Sequence, residues 1–340
     1  MFDIIIPIWK MKTKYLAVCL QSILAQTEQD NRTPYTKYKC YIIDGTPMDW
    51  EHYESQQRML KKLIGKNKRF EYHRHQNPDK PFVSEAFNQG RKLGSNPYLQ
   101  FMGGDDFFYQ TYFSMMEQRV MSESDRKSVG VSFCMVQKNE KSVVDLGDIK
   151  LGVVETYLLN HYMALPFIKE ELLRYFHVGS PVLMNGAVFL RTAFEEVSGY
   201  DEDMVIYEDT DLVLRIIKAG YLSRWYAFVG SYLRVHNGQT TLYGDIPYDR
   251  KVKFKKNKES FENRHIDERL YLKTPEEIKN IIQNKFGEDI DNSLAESIYG
   301  MTCPGAWKDL SARFIRDKLQ FFVLKNEDEV NMFREGDIVL

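Results

Sequence analysis

The chain has 340 residues, 43% of them hydrophobic and 28% charged, which is ordinary for a globular protein with a substantial core in one large domain or two smaller ones. Its formal net charge of −2 excludes a global electrostatic bias toward nucleic acid or an anionic membrane. The four cysteines, Cys19, Cys40, Cys134 and Cys303, show no C-x-x-C spacing, which argues against a structural zinc site and for buried thiols in a reducing compartment.

The run "DIIIPIW" predicts a strand buried on both faces. Lys10, Lys12 and Lys14 follow it and precede "YLAVCLQSILA". That order is wrong for a signal peptide, and Leu16, Cys19, Leu20, Ile23 and Leu24 form a helical stripe. An amphipathic core helix is expected from Tyr15 to Gln26. "YKCYIIDGTP" predicts a second strand, ended by Gly45 and Pro47. A charged helix over 52–65, a strand at "RFEYHRH" and a turn-rich "QNPDKP" come next. A helix over 83–93, stopped by Gly94, leads to the strand "PYLQFM", and GGDD lies just past its end. This alternation predicts an α/β fold with a mostly parallel sheet, whose ligands bind beyond the carboxyl ends of the strands. Asp44 and Asp105 both fall there.

Residues 110–175 give weak signals. "NGAVFL" predicts a strand, "EDTDLVLRIIKAG" a helix with acids in its first turn, and "RWYAFVGSYLRV" a strand ending at His236. From 245 to 340 the pattern is mostly helical, after the basic segment "DRKVKFKKNK". No apolar run approaches the length of a membrane span, so a soluble, cytoplasmic protein without an integral membrane segment is expected.

Two adjacent carboxylates repel each other, so Asp105 and Asp106 need water, a basic partner or a metal ion. Asp44, read alone, is an ordinary turn residue. Glu208 and Asp209, read alone, are dipole partners of a helix start.

Together, "IIIPIW", "YLAVCLQSILAQT", "YIIDGTP", "FMGGDD" and "SGYDEDMVIYEDTDLVLRIIKAG" resemble, in the right order, a family 2 glycosyltransferase with the GT-A (nucleotide-diphospho-sugar transferase) fold. The resemblance covers roughly residues 1–240. It implies a Rossmann-like sheet with helices on both faces: a transferase domain over 1–244, with 1–110 the nucleotide-sugar half and 111–244 the acceptor half, then a helical C-terminal region over 245–340. It implies a nucleotide sugar as donor, UDP-linked because a carboxylate at Asp44 can accept from the uracil imide. Pro7, Asp44, Gly103, Gly104, Asn185 and Gly186 then belong to the donor site. It implies Mg²⁺ or Mn²⁺ held by Asp105, Asp106 and His236; such hard cations suit oxygen ligands and a diphosphate leaving group. It implies Asp209 as general base of an inverting displacement, with Glu208 beside it.

Two departures stand out. Gly103 occupies the place of an expected acid, and "IIDGTP" has one acid where two are usual. They motivate a rival reading, a non-catalytic nucleotide-sugar-binding module. Tyr221 stands where the Q-x-x-R-W pattern of processive synthases requires Gln, which favours transfer of a single sugar. The acceptor is a glycan, a small molecule or DNA. The DNA alternative, a hydroxymethylated base, rests on Arg250, Lys251, Lys253, Lys255, Lys256 and Lys258 around Phe254; a solvated face is the plainer reading. An oligomer is compatible with the sequence.

Overall fold

The computed structural model describes residues 1–77, 83–123, 126–139, 184–204, 206–234, 256–257, 259–261 and 263–264. Two compact units divide the chain, one of residues 1–157 and 182–257, the other of 158–181 and 258–340. The site described below lies in the first.

Strand β1 (Phe2–Ile8) runs parallel to β2 (Tyr38–Asp44) and to β4 (Tyr98–Phe101), and β2 runs parallel to β3 (Phe70–Arg74). Phe2, Ile4, Ile6 and Ile8 share a core cluster with Leu16, Cys19, Leu20 and Ile23 of α1 (Thr13–Leu24) and with Leu60 and Ile64 of α2 (Tyr53–Ile64). Ile5, on the opposite face, meets α3 (Val83–Arg91) so closely that a Cβ at Gly90 would overlap its side chain. Helices therefore cover both faces, which is why the strand is apolar at successive positions rather than alternating.

The helix expected over 15–26 begins two residues earlier, and its buried residues run from Tyr15 to Ile23. The region of weak signal holds regular structure: α4 (Tyr112–Ser122) and β6 (Val129–Asn139), preceded by the two-residue β5 (Phe107–Phe108). The expected "NGAVFL" strand is shorter. Met184–Gly186 is a 3₁₀ turn and β7 is Ala187–Leu190, so Asn185 and Gly186 precede the strand rather than belong to it. A short α5 (Arg191–Glu196) follows, then α6 (Glu208–Lys218) and β8 (Leu222–Arg234).

Among the described residues the sheet has eight strands in the order β3-β2-β1-β4-β7-β6-β8-β5. The half formed by β1, β2, β3 and β4 is parallel. β7 is antiparallel to both β4 and β6, and β5 is antiparallel to β8, while β6 and β8 run parallel. Among the described residues no helix is long and apolar enough to cross a membrane. Cys19, Cys40 and Cys134 are buried free thiols. Cys303, the expected C-terminal helices and the basic cluster, apart from Lys256, lie outside the described residues.

Candidate active site

The β1–β4 pairing ends at Ile5 and Phe101, before Pro7, which has no N–H to contribute to a ladder. Past that point β4 leaves the sheet as Met102-Gly103-Gly104-Asp105-Asp106. A bond from the Asp106 N–H to the Gly103 carbonyl, at 3.2 Å, closes this segment into a turn. Gly104 faces Ile8, Leu16 and Met11, and a Cβ there would sit 3.1 Å from Ile8. It packs the turn down on β1 and α1. Gly103 does something else. A Cβ at this position would come 2.7 Å from Asp105 Oδ1 and 3.4 Å from Asp106 Oδ2. The carboxylate of Asp105 folds back over the bare glycine, and the space that an acid's Cβ would need is already taken.

Asp106 is buried. Its Oδ1 accepts from the Arg234 backbone N–H at 2.8 Å, and its Oδ2 lies 3.5 Å from the Asn185 amide nitrogen. Burial, then the neighbouring Asp105 charge, push its carboxyl well above the usual carboxylate range; the bond from Arg234 opposes this. Asp105 is half-buried, and its backbone carbonyl accepts from Arg234 Nε at 2.7 Å. Arg234 itself is fully buried at the end of β8, with its guanidinium 4.4 Å from the Tyr15 ring centroid and 5.3 Å from that of Phe107. The sequence reading missed this residue. Its signal was a charge at the end of a strand that is uncharged from Trp225 to Leu233, where a buried Arg is rare unless paired.

Asp44 ends β2 and is fully buried. Its Oδ1 accepts from the Thr46 N–H at 2.8 Å. Its Oδ2 accepts from the Tyr72 hydroxyl at 2.6 Å and Gln57 Nε2 at 3.0 Å, and pairs with Arg74 at 3.1 Å. Arg74 also donates to the Thr46 carbonyl at 2.7 Å. Both carboxylate oxygens are thus engaged within the protein. Gly45 lets the Trp9 ring approach; a Cβ there would sit 3.2 Å from it. Tyr72, Gln57, Arg74 and Trp9 surround the expected base-reading aspartate, and of these the sequence reading named none.

The acid pair opens α6. Tyr207, just before it, has φ of 62°, a left-handed conformation that turns the chain into the helix. Asp209 Oδ1 accepts from the Thr210 N–H at 2.6 Å and from its hydroxyl at 3.1 Å. Asp211, fully buried, points elsewhere and pairs with Arg215 at 2.7 Å. Burial, and next the Asp209 charge, raise the Glu208 carboxyl from an ordinary 4.5 to about 8. Burial raises Asp209 as well, against its bonds from Thr210. A helix N-terminus favours the charged form, but here the loss of hydration outweighs it.

The turn before this helix is clamped from α3. Asn88 exchanges bonds with both backbone groups of Tyr200, at 2.8 and 3.0 Å, and donates to Glu202 at 2.9 Å. Ser84 donates to the Met204 carbonyl at 3.1 Å. Gly199 has φ of +73°, and a Cβ there would also strike Asn88. The Tyr200 ring stacks on Phe87 at 5.2 Å and meets Phe101 edge-on at 5.1 Å. Phe101 is the last residue of β4 before the GGDD turn. Tyr200 lies in the field of Asp209 and Glu208, whose charges raise its hydroxyl further above the range that burial sets. Tyr200 thus joins the segment before α6 to Phe101, the residue that leads into the GGDD turn.

Asp105 and Asp106 supply oxygen donors suited to a hard divalent cation. Among the described residues no group of three His, Cys, Asp or Glu that could hold a metal ion converges. His236, the third expected ligand, lies outside the described residues.

A raised carboxyl has a consequence for stability. The folded chain holds the Glu208 proton more tightly than the unfolded chain does. That contribution is fully present below 4.5 and is lost as pH rises through about 8. Glu208→Gln, which cannot ionise, therefore gains stability relative to wild type as pH rises from 5 to 9. Urea unfolding across that range checks it, and parallel pH profiles for the two proteins would refute it.

No family model and no curated protein sequence matches the chain. Solved structures do. Staphylococcus aureus TarS 1–349 in complex with UDP-GlcNAc superposes with a TM-score of 0.52 at 11% identity, over 98% of this chain and 79% of that one. The same TarS fragment with UDP gives 0.51 at 12% identity, over 96% and 75%. A mannosyltransferase from Pyrobaculum calidifontis in complex with GDP-Man and Mn²⁺ gives 0.49 at 13% identity, over 99% and 82%. The chain has the α/β GT-A-type fold that the sequence motifs implied.

Proposed function

We propose that this chain is a glycosyltransferase that moves one sugar from a nucleotide-diphosphate sugar to an acceptor hydroxyl. The observation that carries the reading is the placement of Asp44 at the carboxyl end of β2 and of the Asp105–Asp106 turn just past that of β4, the two strands that flank β1, on a GT-A-type fold. The TarS complexes with UDP and UDP-GlcNAc support a UDP-linked donor. In this reading Tyr72, Gln57 and Arg74 fix the Asp44 carboxylate as an acceptor for the base, and Trp9 offers a ring face. Pro7, Gly103, Gly104, Asn185 and Gly186 shape the rest of the donor site.

Asp105 and Asp106 would hold a divalent cation together with the diphosphate; when bound, that cation supplies positive charge to the leaving group. Asp209 takes the proton of the acceptor hydroxyl as that oxygen bonds to the anomeric carbon. The bond from that carbon to the diphosphate breaks in the same step, so the configuration inverts. Glu208, its carboxyl raised to about 8 by burial and the Asp209 charge, holds its proton near neutral pH and can donate to sugar or acceptor. The rest of the proposal follows the sequence: a catalytic region within 1–244, with acceptor contacts from its second half.

The test is a panel of nucleotide sugars, each with and without Mn²⁺, read by nucleotide release and by thermal shift. Metal-dependent release from one donor, slow without acceptor, is expected. Stabilisation by nucleotides with no release, even in the presence of acceptor extracts, would favour the non-catalytic module instead.

A further inference from the structure

We infer that Arg234 is a positioning residue that sets the charge and shape of the Asp105–Asp106 turn, so that a divalent cation binds there only together with a diphosphate. The inference rests on the proposed donor site and extends it to a residue outside the motifs.

Two adjacent carboxylates at the end of a strand need a counter-charge, and in this fold the protein supplies one. Arg234 binds the turn twice. Its backbone N–H holds Asp106 Oδ1 at 2.8 Å, and its Nε–H holds the Asp105 carbonyl at 2.7 Å. The first bond fixes a side chain and the second fixes the backbone that carries the other side chain. Burying a guanidinium completely is costly. Here the faces of Tyr15 and Phe107 receive it at 4.4 and 5.3 Å, and such contacts offset part of the lost hydration. Tyr15 belongs to α1 and Phe107 to β5, so the cation is seated by elements on both sides of the turn.

Charge then decides how a cation can bind. Gly103 contributes no acid, burial disfavours the charge on Asp106, and the buried Arg234 guanidinium lies in the field of both acids, so the turn offers at most about one net negative charge. A free Mn²⁺ meets little attraction and a buried positive neighbour. A diphosphate brings several negative charges and further oxygen ligands. The cation and the diphosphate therefore each improve the other's binding, a reciprocal coupling. Without Arg234 the two carboxylates would attract the bare cation, but their positions would be less fixed.

Mn²⁺ binding, followed by electron paramagnetic resonance of the free ion with and without UDP, tests this. Wild type should bind Mn²⁺ at least about tenfold more tightly with UDP than alone. Arg234→Met should tighten binding of Mn²⁺ alone by about tenfold, as expected for removing a unit charge a few ångströms away, and so erode the dependence on UDP. Arg234→Lys keeps the charge but cannot reproduce the Nε bond; it should leave Mn²⁺ alone within about twofold and weaken Mn²⁺ with UDP several-fold. An unchanged UDP dependence in Arg234→Met overturns the inference. If that variant does not fold, Arg234→Lys decides: no change in either condition overturns it. Wild type that binds neither UDP nor Mn²⁺ in any combination would instead refute the donor-site reading itself.

Discussion

Asp209→Asn removes sugar transfer while leaving donor binding in place. The substitution keeps the shape and the ability to accept from the Thr210 N–H and hydroxyl, the two bonds that hold this side chain at 2.6 and 3.1 Å. What it loses is the capacity to take a proton. General base catalysis contributes about 10²–10⁴-fold, so kcat for transfer should fall by about that factor. The thermal shift produced by UDP should be unchanged, because the proposed donor site is built at Asp44 and the Asp105–Asp106 turn. Measuring kcat and the UDP-induced shift on the same preparation separates a lost base from a lost fold. Near-normal transfer by Asp209→Asn would move the base elsewhere, with Glu208 the first alternative.

Gly103→Ala should damage function far more than stability. The added Cβ would sit 2.7 Å from Asp105 Oδ1, closer than such contacts occur. The atom that must give way is the far end of a side chain, not backbone, and Gly103 does not hold a positive φ. The carboxylate can therefore swing aside at little cost, and the melting temperature should shift by only a few degrees. The displaced carboxylate is the expected metal ligand. A misplacement of about 1 Å at a reacting centre can cost about 100-fold, so metal-dependent turnover should fall by one to two orders of magnitude. Gly103→Asp, which restores the acid usual in the family, should fail in the same way because its Cβ occupies the same space. Turnover that is unchanged or improved in Gly103→Asp would show that the glycine is a dispensable departure.

These expectations bear on how much the sequence revealed. The parallel half of the sheet was legible because continuous apolar runs ended at Gly, Pro or Asp, as buried strands do. The motif order carried the fold. By contrast, β5 spans only Phe107–Phe108, too short for any periodicity, and it exists through pairing with β8. Helix α4 does carry buried residues at Tyr112, Phe113, Met116 and Val120, a helical spacing, but aromatic residues crowd its start and hid the pattern. In β6, Val129, Val131 and Phe133 are separated by Gly130 and Ser132, but burial does not alternate with them, since both intervening residues are buried too. Asp105 and Asp106 were legible as a pair, whereas their partner was not. Arg234 is 128 positions away from Asp106, and no local rule links them. Asp44 was found for the same reason as Asp105, by its place at a strand end. That its carboxylate would be engaged by Tyr72, Gln57 and Arg74 depends on the parallel register of β2 and β3 and on the placement of α2, which no spacing discloses.

The separation between Arg234 and Asp106 also orders events while the chain is being made. Strands β1, β2, β3 and β4 can assemble from the first hundred residues, and the GGDD turn is present by then. Its buried counter-charge is not, because β8 arrives on the order of a hundred residues later, and long-range pairing of this kind is slow to form. Until then two acids share a turn with no built-in cation beside them. The nascent half-sheet can possess every residue of the expected metal turn and still lack its finished form. A ribosome-released fragment ending before β8 would for that reason be a poor stand-in for this site, however well its parallel strands fold.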